Sequence, residues 1–218
     1  PLARISPHLI RAVLAIEDQR FYDHGGFDII RVIGAGWNNV REGRAEQGGS
    51  TITQQLARLS FLTPDKTFRR KLQGVILARR LEQAFTKDEI LELYLNKAYF
   101  GDGLYGVEAA SRLYFNKSNK QLSLDEAALI AGLFQLPERQ SPFVDMKRAV
   151  QRRNLVLQRM ADERDITQAE ADAAKQKPIV TRGQPTQPPG IAPFFVEEVR
   201  NTWSAGTARR CSTKAASR

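Results

Sequence analysis

Three stretches of this chain mark the start of a helix in the same way. Thr86 is followed three residues later by Glu89, Ser123 by Glu126 and Thr167 by Glu170. At that spacing a hydroxyl and a carboxylate satisfy each other's backbone N–H groups, and each pair here opens an amphipathic run. Ser6-Pro7 gives another start, a cap followed by proline at the first helical position, with Leu9, Ile10, Val13, Leu14 and Ile16 behind it at helical spacing. Further helices are expected over TITQQLARL with Ser50 as its cap, over 66–85, over 145–163 and, more weakly, over 27–41. Residues 42–49, EGRAEQGG, read as a polar loop. No alternating strand pair and no internal repeat interrupts the pattern, so the class is mostly α.

With 42% hydrophobic residues in 218, the chain can bury a core for one globular domain, in one or two lobes. That domain is expected over 1–175. Residues 176–194 are rich in Pro, Gly and Gln, and a linker is expected over 176–200, with an aberrant tail at 201–218. The net charge is +9, but Arg209, Arg210, Lys214 and Arg218 stand in a tail without acids, leaving +5 for residues 1–200. A moderately basic body suits anionic lipid or a phosphorylated ligand, and nucleic acid is not an expected partner. Cys211 is the one cysteine, so no internal disulfide forms. The longest apolar stretch, AALIAGLF at 127–134, falls well below the roughly 18 residues a membrane span needs. The chain opens without a methionine or a leader, as a fragment is expected to.

The stretch EDQRFYDHGGFD concentrates chemistry. Glu17 and Asp18 fall near the C-terminal end of a helix, where its dipole disfavours acids, and a glycine turn follows. A carboxylate beside Phe21 and such a turn is how a general base is built: partial burial raises its pKa and the loop admits substrate. Solvated acids at a helix end are the plainer reading, and His24 more often holds a loop than it catalyses. QGGSTITQQL at 47–56 offers the hydroxyls of Ser50 and Thr51, the amides of Gln54 and Gln55 and free N–H groups at a helix start, all suited to sugar hydroxyls or phosphate oxygens. Lys66, Arg69, Arg70 and Lys71 make a basic run in the next helix. Such a run is usually a solvated face, but cations there also suit a pyrophosphate leaving group.

Together and in order, EDQRFYDHGGFD, QGGSTITQQL, ILELYLNKAYFGDGLYG and RRNLVL resemble the signature motifs of the peptidoglycan glycosyltransferases, glycosyltransferase family 51, across Glu17 to Leu157. The resemblance implies a lysozyme-like, bilobal helical domain from a class A penicillin-binding protein or a monofunctional transglycosylase. It implies that lipid II is polymerised into glycan strands by inverting transfer, with loss of undecaprenyl pyrophosphate. Glu17 becomes the catalytic base. Asp18, His24, Ser50, Thr51, Gln54, Gln55, Arg70, Lys71, Asn96 and Arg152 become substrate-binding residues, and Tyr99 and Gly101 help shape the wall of the site. A divalent metal, Mg2+ or Mn2+, is implied as cofactor, with no ligands assigned. Lipid II, the growing glycan and the inner-membrane surface are the implied partners, on the outer face of that membrane, with a transpeptidase domain following. Ile29 to Trp37, flanked by Arg31 and Arg41, suits shallow membrane insertion, with Trp37 as the contact.

One position departs from the family pattern. Its third motif places Glu three residues after Arg-Lys; this chain reads Arg70-Lys71-Leu72-Gln73-Gly74. The second family carboxylate is absent at Gly74, and Glu82 lies roughly 12 Å further along the helix. A strongly impaired transferase is expected. The alternatives are a lipid II-binding scaffold without catalysis and a lysozyme-like glycan hydrolase, which would need an acid to protonate a poor leaving group.

The family likeness runs on through APFFVEEVR to Arg200 and then stops. A back-translation of the tail with permitted codons, read from the third base of the first, encodes YLERRYGAKVLYEGGLQ. That string is similar to what family members carry next, so a frameshift near Asn201 is expected, and Cys211 then has no functional meaning.

Overall fold

A computed structural model describes residues 1–29, 49–61, 68–101 and 104–182 and, of residues 68–71, the backbone alone. Trp37, the side chains of Arg70 and Lys71, most of the helix expected over 27–41, the end of the linker and the tail at 201–218 lie outside the described residues. The chain divides into one compact unit over Pro1–Gly183 and a second over Gln184–Arg218. The described residues form α1 (Pro7–Glu17), α2 (Ile52–Phe61), α3 (Phe68–Ala84), α4 (Lys87–Lys97), α5 (Val107–Phe115), α6 (Leu124–Gly132), α7 (Pro137–Gln140), α8 (Met146–Asp162) and α9 (Gln168–Gln176). The sole pairing of extended backbone among them is an isolated bridge between Tyr99 and Tyr105. The mostly-α expectation is met.

The capping signals act as written, with two differences. Thr86 and Thr167 each exchange both bonds with their glutamates: the Thr86 N–H reaches Glu89 at 2.8 Å and the Thr167 N–H reaches Glu170 at 2.8 Å. At Ser123 the same box forms, with its N–H meeting Glu126 at 2.9 Å, and the Ser123 hydroxyl also donates to Asp125 at 3.0 Å. The start of α2 falls one residue later than expected. Thr51, not Ser50, is the cap: its hydroxyl accepts the Gln54 N–H at 3.2 Å, while the Ser50 hydroxyl oxygen accepts from Arg58 at 2.9 Å. Pro7 opens α1, and the Ser6 hydroxyl makes no cap bond.

The core is built around α6. Ala127 to Gly132 are all buried, so this helix is apolar on every side and needs neighbours all round. The stretch AALIAGLF is this core helix. Against it pack α1, through Leu9, Ala12 and Val13, and α8, through Ala149, Val156 and Met160. A second layer sets α2 between α3 and α4. Beyond α9 the chain stays attached to this unit: the Arg182 N–H meets the Tyr114 carbonyl at 3.1 Å and Ile179 packs on the core.

Candidate active site

Glu17 is the last residue of α1 and is buried, at 3% exposure. A buried carboxylate needs hydrogen-bond partners or it neutralises. Gln55 on α2 supplies one: its Nε2 donates to Glu17 Oε2 at 2.8 Å. The other end of the same amide, Oε1, accepts from the Tyr94 hydroxyl at 3.0 Å. Burial first, and the negative charges of Glu17 and Asp18 with it, push the Tyr94 phenol well above its ordinary range. Tyr94 therefore remains a donor.

Asp18 explains why acids sit at the wrong end of α1. Its carboxylate accepts the Ile52 N–H, the first of α2, at 2.9 Å. The acid misplaced on its own helix is well placed on the positive end of another. His24 Nε2 lies 3.0 and 3.1 Å from the two Asp18 oxygens, and its ring is 5% exposed with Phe21 edge-on to it. His24 thus holds the loop to Asp18. Asp28, 2% exposed, pairs with Arg20 at 3.5 Å.

The second motif divides its labour. Thr51 Oγ1 and Gln54 Nε2 both donate to the Gly26 carbonyl, at 2.8 and 3.2 Å, and both side chains are buried. These two bonds latch the glycine turn onto α2. Gly26 needs to be glycine: its φ is +80°, and a Cβ there would sit 3.1 Å from the Ala78 backbone carbon of α3. Gln55 faces Glu17, and Ser50 stays partly exposed beside Arg58.

Gly74, Ala78 and Glu82 share one face of α3, four residues apart. Gly74 and Ala78 are buried, and Ala78 touches Gly26. Glu82 accepts through one oxygen, Oε1, from Thr53 Oγ1 at 2.6 Å and from Lys87 Nζ at 2.8 Å, with Lys87 also 4.4 Å above the Phe21 ring.

The adjacent arginines of α8 part company. Arg152 feels the charge of Glu17, which opposes the lowering of its pKa by burial, and its Nη2 is buried without a hydrogen-bond partner. It passes over Gly132, where a Cβ would come within 2.9 Å of its Cγ, and its Nε donates to the Gly132 carbonyl at 3.3 Å. Arg153 is 2% exposed and donates to the carbonyls of Lys177 at 2.6 Å and Lys175 at 2.8 Å. Asn96 is exposed, about 200° around α4 from Tyr94, with its amide donating to the Glu92 carbonyl. Of the expected residues, Glu17, Gln55 and Arg152 converge; Thr51, Gln54 and His24 brace them; Asn96 faces away from Tyr94. Sequence reasoning missed Tyr94 and Gly132, which read as core residues.

Asp18, His24 and Asp28 bring one possible metal-ligand atom each to within 4.8 Å of one another. A cavity of about 260 Å3 lies elsewhere, between α6, α8 and Lys177–Val180. Its charges answer one another, as in the 3.0 Å Lys177–Asp125 pair.

A family model described as transglycosylase matches residues 1–161. Penicillin-binding protein 1A of Escherichia coli is 48% identical over 199 residues, covering 91% of this chain and 23% of that protein. A Cupriavidus necator protein named for transglycosylase activity is 47% identical over 182 residues, covering 84% of this chain and 78% of its own length. The crystal structure of penicillin-binding protein 1A from Haemophilus influenzae aligns at 37% identity and a TM-score of 0.42, over 60% of this chain and 16% of that one. The chain spans about a quarter of the length of the penicillin-binding proteins it matches.

Proposed function

The chain belongs to the transglycosylase family, and from that premise we propose that it polymerises lipid II, with Glu17 as the base. The observation that carries this reading is the buried Glu17 carboxylate, fixed by Gln55 at 2.8 Å and within electrostatic reach of Arg152. Glu17 takes the proton from the 4-hydroxyl of the acceptor sugar. That oxygen attacks the anomeric carbon of the donor, the bond to the lipid pyrophosphate breaks, and one displacement inverts the centre. Arg70 and Lys71, in the first turn of α3, neutralise the departing diphosphate.

Asp18 and Asp28 offer the carboxylate oxygens that Mg2+ and Mn2+ take, and His24 between them offers an imidazole, a donor that a hard ion such as Mg2+ takes reluctantly. When bound, the ion would supply positive charge to the phosphate oxygens. These three residues would hold it, at the expense of the Asp18–His24 and Asp28–Arg20 contacts. The reaction is proposed for the outer face of the inner membrane. Among the described residues no helix is long and apolar enough to cross a membrane. The growing glycan would be the second substrate, and a transpeptidase domain would follow in the intact protein.

Gly74 favours a second reading, a scaffold that binds lipid II with little turnover. Loss of one catalytic carboxylate lowers a rate by on the order of 10²–10⁴. Incubating the chain with labelled lipid II separates the cases. Polymer marks a transferase, retention of lipid II without polymer marks a scaffold, and sugar released from finished glycan marks a hydrolase and rejects both.

A further inference from the structure

Two ends of the Gln55 amide have almost the same shape and opposite hydrogen-bonding sense. If Nε2 faces Glu17, the carboxylate gains a donor; if Oε1 faces it, two acceptors repel. Nothing in Gln55 itself chooses between these. We propose that Tyr94 makes the choice, as a positioning residue that fixes the Gln55 amide and through it the Glu17 carboxylate. The inference rests on the reading of Glu17 as the base.

Tyr94 is built for this role. It is 2% exposed on α4, and its ring stacks on Phe134 at 5.3 Å with an interplanar angle of 28°. Phe134 in turn meets Phe100 edge-on at 5.0 Å. The stack leaves the hydroxyl one direction, towards Gln55 Oε1 at 3.0 Å. With Oε1 so occupied, Nε2 must point to Glu17 Oε2, at 2.8 Å. Three helices are joined by this chain of donors: α4 through Tyr94, α2 through Gln55 and α1 through Glu17. Without the hydroxyl, only the Glu17 carboxylate holds the amide, which then samples a wider range about its last torsion and fixes Glu17 less firmly. Displacement of a reacting group by about 1 Å lowers a rate by on the order of 10²-fold.

The test uses the Gly74→Glu chain as parent, with Tyr94→Phe, Gln55→Met and both together. Phenylalanine keeps the ring and its stacking. Tyr94→Phe is expected to lower kcat by on the order of 10²-fold with KM for lipid II within about twofold. Gln55→Met is expected to match it, and the double variant to be no slower than Gln55→Met alone, because Tyr94 acts only through Gln55. Losses that multiply, or a raised KM with kcat intact, would overturn the proposal. A second readout needs no turnover. The Gln55 side-chain amide proton facing Glu17 is expected to exchange with solvent at least about tenfold faster in Tyr94→Phe than in the parent. Unchanged exchange overturns the role of Tyr94 even if no variant makes polymer, a result that would count separately against the transferase reading.

Discussion

Arg152 and Arg153 are neighbours in sequence, about 100° apart around one helix, and that angle separates their roles. Arg153, itself buried, donates to two part-buried carbonyls at the end of α9. Truncating it removes both bonds and leaves a gap where its buried side chain packs. Arg153→Ala is therefore expected to lower unfolding free energy by about 2–5 kcal/mol in urea titrations. Arg152→Ala should leave the urea midpoint close to that of the parent and reduce lipid II polymerisation. The sequence RRN gave no means to tell these two apart, since both readings need the same residue type. The burial of Glu17 was legible, because two acids at a helix C-terminus beside Phe21 and a glycine turn suit a partly buried carboxylate. Tyr94 was not legible, because a tyrosine on the buried face of an amphipathic helix looks the same whether its hydroxyl is satisfied by a carbonyl or by a glutamine that holds a buried carboxylate.

At the scale of elements, local chemistry wrote most of the helices into the sequence. Capping boxes depend on residues three apart, so Thr86, Ser123 and Thr167 could be read without knowing the fold. The division of QGGSTITQQL could not, because it depends on Gly26, a partner 25 residues before Thr51. Gly26→Ala places a side chain at φ +80° and against the Ala78 backbone. It should cost about 1–3 kcal/mol and loosen the seam between α2 and α3, seen as a lower melting temperature together with lower turnover. The acid-dependence of stability also belongs here. Burial pulls the Glu108 carboxyl up, but the Asn119 N–H, Arg112 and the Asn119 amide outweigh it and hold it below the usual range. The Thr86 and Thr167 backbones, then their hydroxyls, do the same for Glu89 and Glu170. A depressed folded-state pKa gives stability that is present above the unfolded value, about 4.3, and lost as pH falls through the folded value. Melting temperature should thus drop below about pH 4, and Glu108→Gln should flatten part of that drop.

For the whole molecule, the α class and the family were legible, since the motifs occur in order and the transglycosylase model spans residues 1–161. The consequence of Gly74 was only half legible. The resemblance leads one to expect a carboxylate where Gly74 stands; the structure adds that position 74 lies on the buried face of α3 that also carries Ala78 and Glu82, and that Glu82 is bound to Thr53 and Lys87. The most direct measurement is elongation of labelled lipid II by three chains: the parent, Gly74→Glu, and Gly74→Glu combined with Glu17→Gln. Polymer should be scant with the parent, rise by on the order of 10²-fold or more with Gly74→Glu, and vanish when Glu17→Gln is added. Undiminished polymer after Glu17→Gln would contradict the account, for the proton would then be leaving the acceptor sugar by some other route.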